Sequence, residues 1–369
     1  MSRRAENKRV WKRFARHRLA IAGLVVIVVM TVLAVAVPLV SPFTYDGQDL
    51  DMAHTPPVLT LYDTGTDTVL FVQKDLNLYT ATRSGRLLDR VEPQRIDLEA
   101  RTQVFQAQGR TYVMDFSPDN RERFGTPIRL LVNGAPVADT FRRLNRRHPL
   151  GTDSLGRDVL VRVMFGARIS LFIALMASLI SFLIGATYGG VSGYFGGRVD
   201  DVMMRLVDII SSIPFIIYVI LIMIATGGGL TAIILAMGIT YWINMARIVR
   251  GQSLSLQRAE FVQAARAMGY SHGRIVFRHI LPNAIGPIIV TMAMMIPSAI
   301  FTEAFLSFIG LGLPAPQASW GTLINDALGV VRSYGYLLLA PSIAISLTML
   351  AFNFIGDGLR DALDPRFKS

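Results

Sequence analysis

Six stretches of the chain are apolar over about the 20 residues that carry a helix across a bilayer core of about 30 Å. They cover residues 19–40, 169–188, 207–226, 230–249, 284–309 and 336–355, and predict six membrane-spanning helices. The first reads LAIAGLVVIVVMTVLAVAVPLV. It is longer than the 7–15-residue apolar region of a signal peptide, and it runs into Pro38, Ser41 and Pro42 rather than a small-residue cleavage site. It is expected to stay in place as a helix. From Tyr45 to about His148 the pattern changes to polar, with period-2 alternation in TVLFVQ (68–73), TYVMDF (111–116) and IRLLV (128–132). The last runs into Asn133-Gly134, a dipeptide of tight hairpin turns. This pattern predicts a small β-rich insertion of about 100 residues in a chain that is otherwise an all-α polytopic membrane protein.

Composition supports the membrane reading. The 369 residues are 52% hydrophobic and 17% charged, against about 25% charged in soluble domains. The net charge is +11, which would suit a nucleic-acid partner if it were spread over a surface. Instead Arg3, Arg4, Lys8, Arg9, Lys12, Arg13, Arg16 and Arg18, against Glu6 alone, precede the first apolar run. A basic flank of that kind stays on the cytoplasmic side of a membrane helix, and no nucleic acid is expected. Residues 247–282 repeat the bias with Arg247, Arg250, Arg258, Arg266, Arg274 and Arg278 against Glu260. With six spans both termini lie in the cytoplasm and the insertion lies outside. The insertion is basic near its end, at Arg142, Arg143, Arg146 and Arg147, but it exceeds the loops of about 60 residues to which the charge rule applies.

Several chemistries are excluded. There are no cysteines, hence no disulfide and no thiolate site. His54, His148 and His279 lack metal-ligand spacing, and no GxxxxGK[ST] loop is present to cradle a nucleotide. Asp153, Arg157 and Asp158 come without a nucleophile and read as a shaped external loop. Gly227, Gly228 and Gly229 read as a turn between spans, and Arg205 with Asp208 as charges at a span's end. No catalytic residue, metal or cofactor is expected.

The most informative stretch is 256–282. Residues 256–268 are rich in helix formers, and Phe261, Ala264, Ala265 and Met268 share one side at helical spacing. Gly269 then ends the helix as a C′ glycine. A second short helix over 272–280 carries Ile275, Val276 and His279, and Pro282 opens the next span. By itself the pattern fits two readings: a helix inserted into a groove of a partner protein, or a connector lying on lipid headgroups.

Here the chain resembles the permease subunits of ATP-binding-cassette importers. Their shared motif is Glu-Ala-Ala, three residues, Gly, nine residues, Ile, one residue, Leu-Pro. This chain has Gln263-Ala264-Ala265, Gly269 and Leu281-Pro282 in register, with Gln263 in place of the glutamate and His279 in place of the isoleucine. HPLGTDSLGRDV (148–159), GARISL (166–171), GYFGG (193–197), SFIGLGLP (307–314) and DGLRDALDP (357–365) resemble the C-type subunit of the dipeptide and oligopeptide permeases, with nickel importers close behind. Residues 48–145 are not explained by the resemblance.

The resemblance implies a type I importer permease in the bacterial plasma (inner) membrane, forming half of a translocation pathway beside a second homologous permease. It implies two cytoplasmic ATP-binding subunits and an extracytoplasmic substrate-binding protein, with a peptide, or alternatively nickel or another small solute, as cargo. Gln263, Ala264, Ala265, Arg266, Gly269, His279, Leu281 and Pro282 would then couple the chain to the ATPases. The expected division is a basic cytoplasmic N-terminus (1–18), a first transmembrane helix (19–40), the extracytoplasmic insertion (45–148), a permease core with five transmembrane helices (149–356) that includes the coupling loop (256–282), and a cytoplasmic tail (357–369).

Glu303, inside the fifth span, is an intramembrane carboxylate and so a candidate pathway residue. The competing reading is packing, through Thr302 or a neighbouring helix. An ion-gradient-driven secondary transporter would need ionisable residues deep in several spans, and only Glu303 is deep. A membrane-anchored sensor would need one or two spans and a cytoplasmic signalling domain.

Overall fold

The computed structural model describes residues 10–363 except 66, 121–127 and 138. Arg3, Arg4, Lys8, Arg9 and the end of the tail, including Asp364 and Pro365, lie outside the described residues. The chain divides into two compact units, one of Met1–Ser41, Arg162–Gly329 and Pro341–Ser369, the other of Pro42–Val161 and Val330–Ala340.

The helices are α1 (Arg18–Val40), α2 (Val159–Phe195), α3 (Gly197–Ser212), α4 (Phe215–Thr226), α5 (Gly229–Leu256), α6 (Glu260–Ala267), α7 (His272–Ile275), α8 (Ile285–Phe308), α9 (Trp320–Leu328) and α10 (Tyr336–Leu363). Five of them, α1, α2, α5, α8 and α10, are long and apolar enough to cross a membrane. The expected helix over 207–226 is instead two, α3 and α4, bent by 79°, so a sixth span exists only if the pair is counted as one. The break has a local cause. Pro214 lacks an N–H and pushes the residue before it out of the helical region, and Ile213 is accordingly extended at φ −85, ψ 125.

Helices in lipid gain little from hydrophobic contact with each other, so close backbone approach decides their packing. Gly185, Gly189 and Gly193 form a stripe along α2, one every fourth residue. A methyl group at Gly185 would lie 2.6 Å from the Trp242 carbonyl oxygen of α5, one at Gly193 2.5 Å from that of Arg250, and one at Gly189 would overlap that of Ala246. The stripe therefore seats α2 directly on the α5 backbone. At the end of this contact Arg250 makes a two-pronged bond to Asp200 of α3, 2.5 Å at each prong, and the Ser192 hydroxyl donates to the same carboxylate at 2.5 Å. Asp208 is paired with Arg247 of α5 at 3.1 Å, not with its sequence neighbour Arg205.

α1 contains Pro38, which cannot donate to the Ala34 carbonyl four residues back. Arg168 of α2 supplies the missing donor, with Nε to Ala34 O at 2.5 Å, and its Nη2 also donates to Val35 O at 2.8 Å. α1 also meets α10 closely, Gly23 against the Ala351 backbone and Gly358 against Ala20.

The second unit holds two antiparallel five-stranded sheets. One has the order β10-β1-β2-β3-β4, with β1 Val58–Tyr62, β2 Thr68–Val72, β3 Leu78–Thr82, β4 Leu87–Val91 and β10 Thr140–Leu144. The other has the order β5-β6-β7-β8-β9, with β5 Pro93–Asp97, β6 Thr102–Ala107, β7 Arg110–Asp115, β8 Arg129–Val132 and β9 Ala135–Pro136. Val69 and Phe71 on one face of β2 pack with Leu59, Leu61 and Tyr79. Leu70 on the other face packs with Phe105, Tyr112, Met114 and Leu130 of the second sheet. Asn133 and Gly134 adopt φ 51 and 78 in the expected hairpin turn. Burial pushes the Tyr79 phenol up to about 12, and it remains a donor to the Asp51 carbonyl at 2.5 Å.

Asp153 accepts from the backbone of Leu155 and Arg157 and from Arg157 Nε at 2.8 Å, while His148 Nδ1 meets Asp158 Oδ2 at 2.8 Å. These groups shape the segment ahead of α2, where Asp158 also accepts from the Val161 N–H. The same unit takes in residues 330–340. Lys74 Nζ donates to Ser333 O at 2.8 Å, Tyr334 donates to Asp75 and stacks on His54, and Tyr336 donates to Thr152 O at 2.7 Å.

The glycine contact is directly testable. Gly189→Ala should destabilise the chain by about 1–3 kcal/mol, the usual range for overpacking. Gly251→Ala on α5, where a methyl group meets nothing within 4 Å, should be neutral or gain about 0.5–1 kcal/mol. Thermal unfolding of the purified chain in detergent reads both, and equal midpoints would exclude the close approach.

Candidate functional site

The segment after α5 is built as two short helices around one small core. α6 is two turns long, starting after the extended Ala259. Val262 and Ala265, three residues apart, turn inward and are fully buried. They pack with Tyr194 of α2 and with Ile275, Val276 and Ile280. Phe261, Ala264 and Met268 face outward, Phe261 at 41% and Met268 at 64% exposure. The expected shared face of Phe261, Ala264, Ala265 and Met268 is therefore split. Ala265 belongs to the inner face, and the other three form an apolar strip on the surface. The expected helix over 256–268 is interrupted too, since residues 257–259 form a turn between α5 and α6.

Gly269 has φ +74. Its N–H bonds to Arg266 O at 2.9 Å, and the Tyr270 N–H reaches back to Ala265 O at 3.1 Å. These two bonds make the Schellman closure, which calls for a left-handed residue at the glycine position. Gln263 Nε2 donates to Arg258 O at 3.1 Å. A carboxylate has no donor to make that bond, which gives the glutamine at this position a physical role.

After α7, residues Val276–Ile280 form a single π turn, with Leu281 N–H bonding Val276 O at 2.9 Å. Leu281 packs into both neighbouring clusters. Pro282 falls in the turn before α8, where its missing N–H costs nothing to a helical ladder. His279 is half-buried, and its ring lies 5.7 Å from that of Tyr270. Of the eight predicted residues, Ala265 and Leu281 pack into the loop's core, and His279 and Pro282 are half-buried. Gln263, Ala264, Arg266 and Gly269 are on its surface.

Tyr194 organises this site and was not singled out from the sequence. Its hydroxyl meets His272 Nδ1 at 2.8 Å, and the Arg266 guanidinium lies 4.7 Å over its ring. Its only signal was its place in GYFGG. Val262 was also missed, though its spacing from Ala265 carried the information.

Glu303 lies apart from this loop, on α8, and is fully buried. Three serine hydroxyls donate to its carboxylate: Ser170 of α2 at 3.0 Å, Ser307 one turn along α8 at 3.0 Å, and Ser319 at 2.6 Å. Ser319 also caps α9, and Ser170 accepts from the Trp320 N–H. Thr302 is not a partner of Glu303; it accepts from the Tyr241 hydroxyl at 2.6 Å. The carboxylate thus ties α2, α8 and the start of α9 together, an arrangement that favours packing.

Residues 181–369 match the family described as binding-protein-dependent transport system inner membrane component, and residues 7–57 match the N-terminal TM domain of oligopeptide transport permease C. The ten strands fall between the two matched segments. The oligopeptide transport system permease protein OppC of Bacillus subtilis is 52% identical over 61% of this chain and 73% of its own length. The dipeptide transport system permease protein DppC of the same organism is 52% identical over 60% of this chain and 69% of its own. Among solved structures, the inward-facing MetNI methionine ABC transporter has a chain that aligns at 20% identity and TM-score 0.47, over 56% of this chain and 96% of that one.

Removing the carboxylate orphans three buried hydroxyls at once. Glu303→Ala should destabilise the chain by at least about 1–3 kcal/mol, the desolvation cost of one orphaned group, and Glu303→Gln, which keeps an acceptor, by less. Unfolding midpoints in detergent test this ranking; an alanine variant as stable as the parent would remove Glu303 as a packing tie.

Proposed function

The chain belongs to the family of binding-protein-dependent transport system inner membrane components, the permeases of ABC importers, and from that premise we propose that it imports peptides as one half of a type I permease. The second half is a homologous permease. Two cytoplasmic ATP-binding subunits drive the pair, and an extracytoplasmic binding protein supplies the cargo. Peptide cargo is supported by the oligopeptide and dipeptide permeases among its relatives. Both termini and the loop of α6 and α7 are on the cytoplasmic side, in keeping with the arginine bias of residues 247–282.

The observation that carries the coupling role is the two-sidedness of α6. One face is locked by Val262 and Ala265 against Tyr194. The other leaves Phe261, Ala264 and Met268 without cover. A helix fixed on one side and apolar on the other suits insertion into a groove of an ATPase, where small Ala264 permits close approach. Because α6 is anchored to α2 through Tyr194, a push on the helix passes to a membrane span. Alternating access needs contacts that differ between two states, and closure of the ATPases supplies that difference. Hydrolysis belongs to those partners.

Ala264→Arg tests this without touching the inner face. The chain should fold normally, yet co-purify with at least about ten-fold less ATPase, a loss of about 1.4 kcal/mol, and ATP-driven uptake of a labelled peptide into proteoliposomes should fall in parallel. Ala265→Arg, which buries a charge, should instead unfold the loop and lower the melting point. Full retention of the ATPase by the Ala264→Arg chain would exclude this face as the docking surface, and uptake driven by an ion gradient without ATP would exclude the importer reading.

A further inference from the structure

α3 has three faces. Asp200 and Val207 turn inward and are buried. Asp201, Arg205 and Asp208 form an exposed charged strip. Val199, Val202, Leu206, Ile209 and Ile213 recur at alternating spacings of three and four and form an exposed apolar strip, each between 40% and 63% exposed. α4, after the bend, is apolar throughout, with Ile217, Ile220, Leu221 and Ile224 exposed. Its 12 residues extend only about 18 Å at about 1.5 Å per residue, well short of a bilayer core of about 30 Å.

We propose that α3 is not the first half of a span but an in-plane helix, its apolar strip dissolved among the acyl chains of the cytoplasmic leaflet. α4 has no polar side on which to meet water, so it sits in hydrocarbon, entering the bilayer without crossing it, and α5 returns the chain to the side it left, which keeps both termini on one side. A 79° bend then turns α3 across the direction of α4. Its charged strip needs headgroup water and its apolar strip does not, and an in-plane orientation satisfies both. Lipid rather than a protein is the occupant because the strip continues through Ile213 into the exposed apolar surface of α4. The leaflet rests on the topology proposed above, through the basic end of α5 that α3 grips.

The consequence concerns the coupling loop. Asp200 holds Arg250 and Asp208 holds Arg247, both near the end of α5 from which α6 departs. A helix floating at the membrane surface would therefore set the depth at which the coupling loop is presented to its ATPase.

The chain has no cysteine, so single-cysteine variants can each carry one nitroxide label. In the full complex reconstituted in lipid vesicles, collision of the label with oxygen reports lipid and collision with a nickel chelate reports water. Labels at 199, 202, 206 and 209 should favour oxygen several-fold over labels at 201 and 205. A strip inaccessible to both reagents would mean a protein covers it, such as the second permease, and a strip open to the chelate would place it in water; either overturns the proposal. A membrane-impermeant maleimide should label the Asp201→Cys variant only after the vesicle's cytoplasmic face is opened. Labelling from the outside would overturn the topology and the leaflet, whereas loss of the oxygen pattern overturns the in-plane helix itself.

Discussion

The approach of α2 to the backbone of α5 sets the rest of the membrane unit. In lipid, side chains of one helix gain nothing by leaving the acyl chains for another helix, so contact rests on geometry and on polar groups that need partners. The stripe of Gly185, Gly189 and Gly193 fixes both the distance and the rotation of α2. Its last member is followed by Tyr194, whose ring closes the core of the loop that holds α6 and α7. It is preceded by Ser192, which donates to Asp200 and so steadies the Arg250 pair. A side chain in the stripe would shift all of these together, because they lie within one turn of α2.

The polar groups inside this unit follow the same economy. Arg168 serves the carbonyl that Pro38 leaves without a donor. Glu303 receives three hydroxyls drawn from three segments. Each joins elements far apart in sequence. A polar group left without its partners inside the unit costs more than the satisfied set contributes, so these sites specify how helices meet more than they raise stability.

How much of this was legible in the sequence varied with the range of the interaction. The long apolar runs gave α1, α2, α5, α8 and α10, because hydropathy over 20 residues has few competing explanations. The same smoothing hid the break at Ile213-Pro214, where one proline outweighed an apolar window. Around α6, Phe261, Ala264, Ala265 and Met268 are all apolar, and eight residues leave the inward side undetermined until Tyr194 is placed against it. The hydroxyls of Ser170 and Ser319 could not be assigned to Glu303, since nothing in spacing links positions 133 and 16 residues away. In the insertion, alternation marked β2, β7 and β8, and Asn133-Gly134 marked its turn. The turn at Gln108-Gly109, with φ 56 and 71, carries the same backbone without the usual asparagine, and β5, PQRID, has no apolar alternation to read.

The insertion's ten strands lie outside the matched segments, yet its pairing explains how the chain carries it. β1 and β10 are its first and last strands, and they lie side by side from Val58↔Leu144 to Tyr62↔Thr140. Antiparallel partners sit about 5 Å apart, so residues 57 and 145 are held as close as a short turn would hold them. The 87 residues between can fold on their own two sheets without stretching the flanks. The β2–β3 turn then uses Lys74 and Asp75 to grip Ser333 and Tyr334, which ties the insertion to the segment that begins α10. An idle decoration would need only the β1–β10 closure. The second attachment fastens Ser333 and Tyr334 to the β2–β3 turn, a constraint that closure alone does not require.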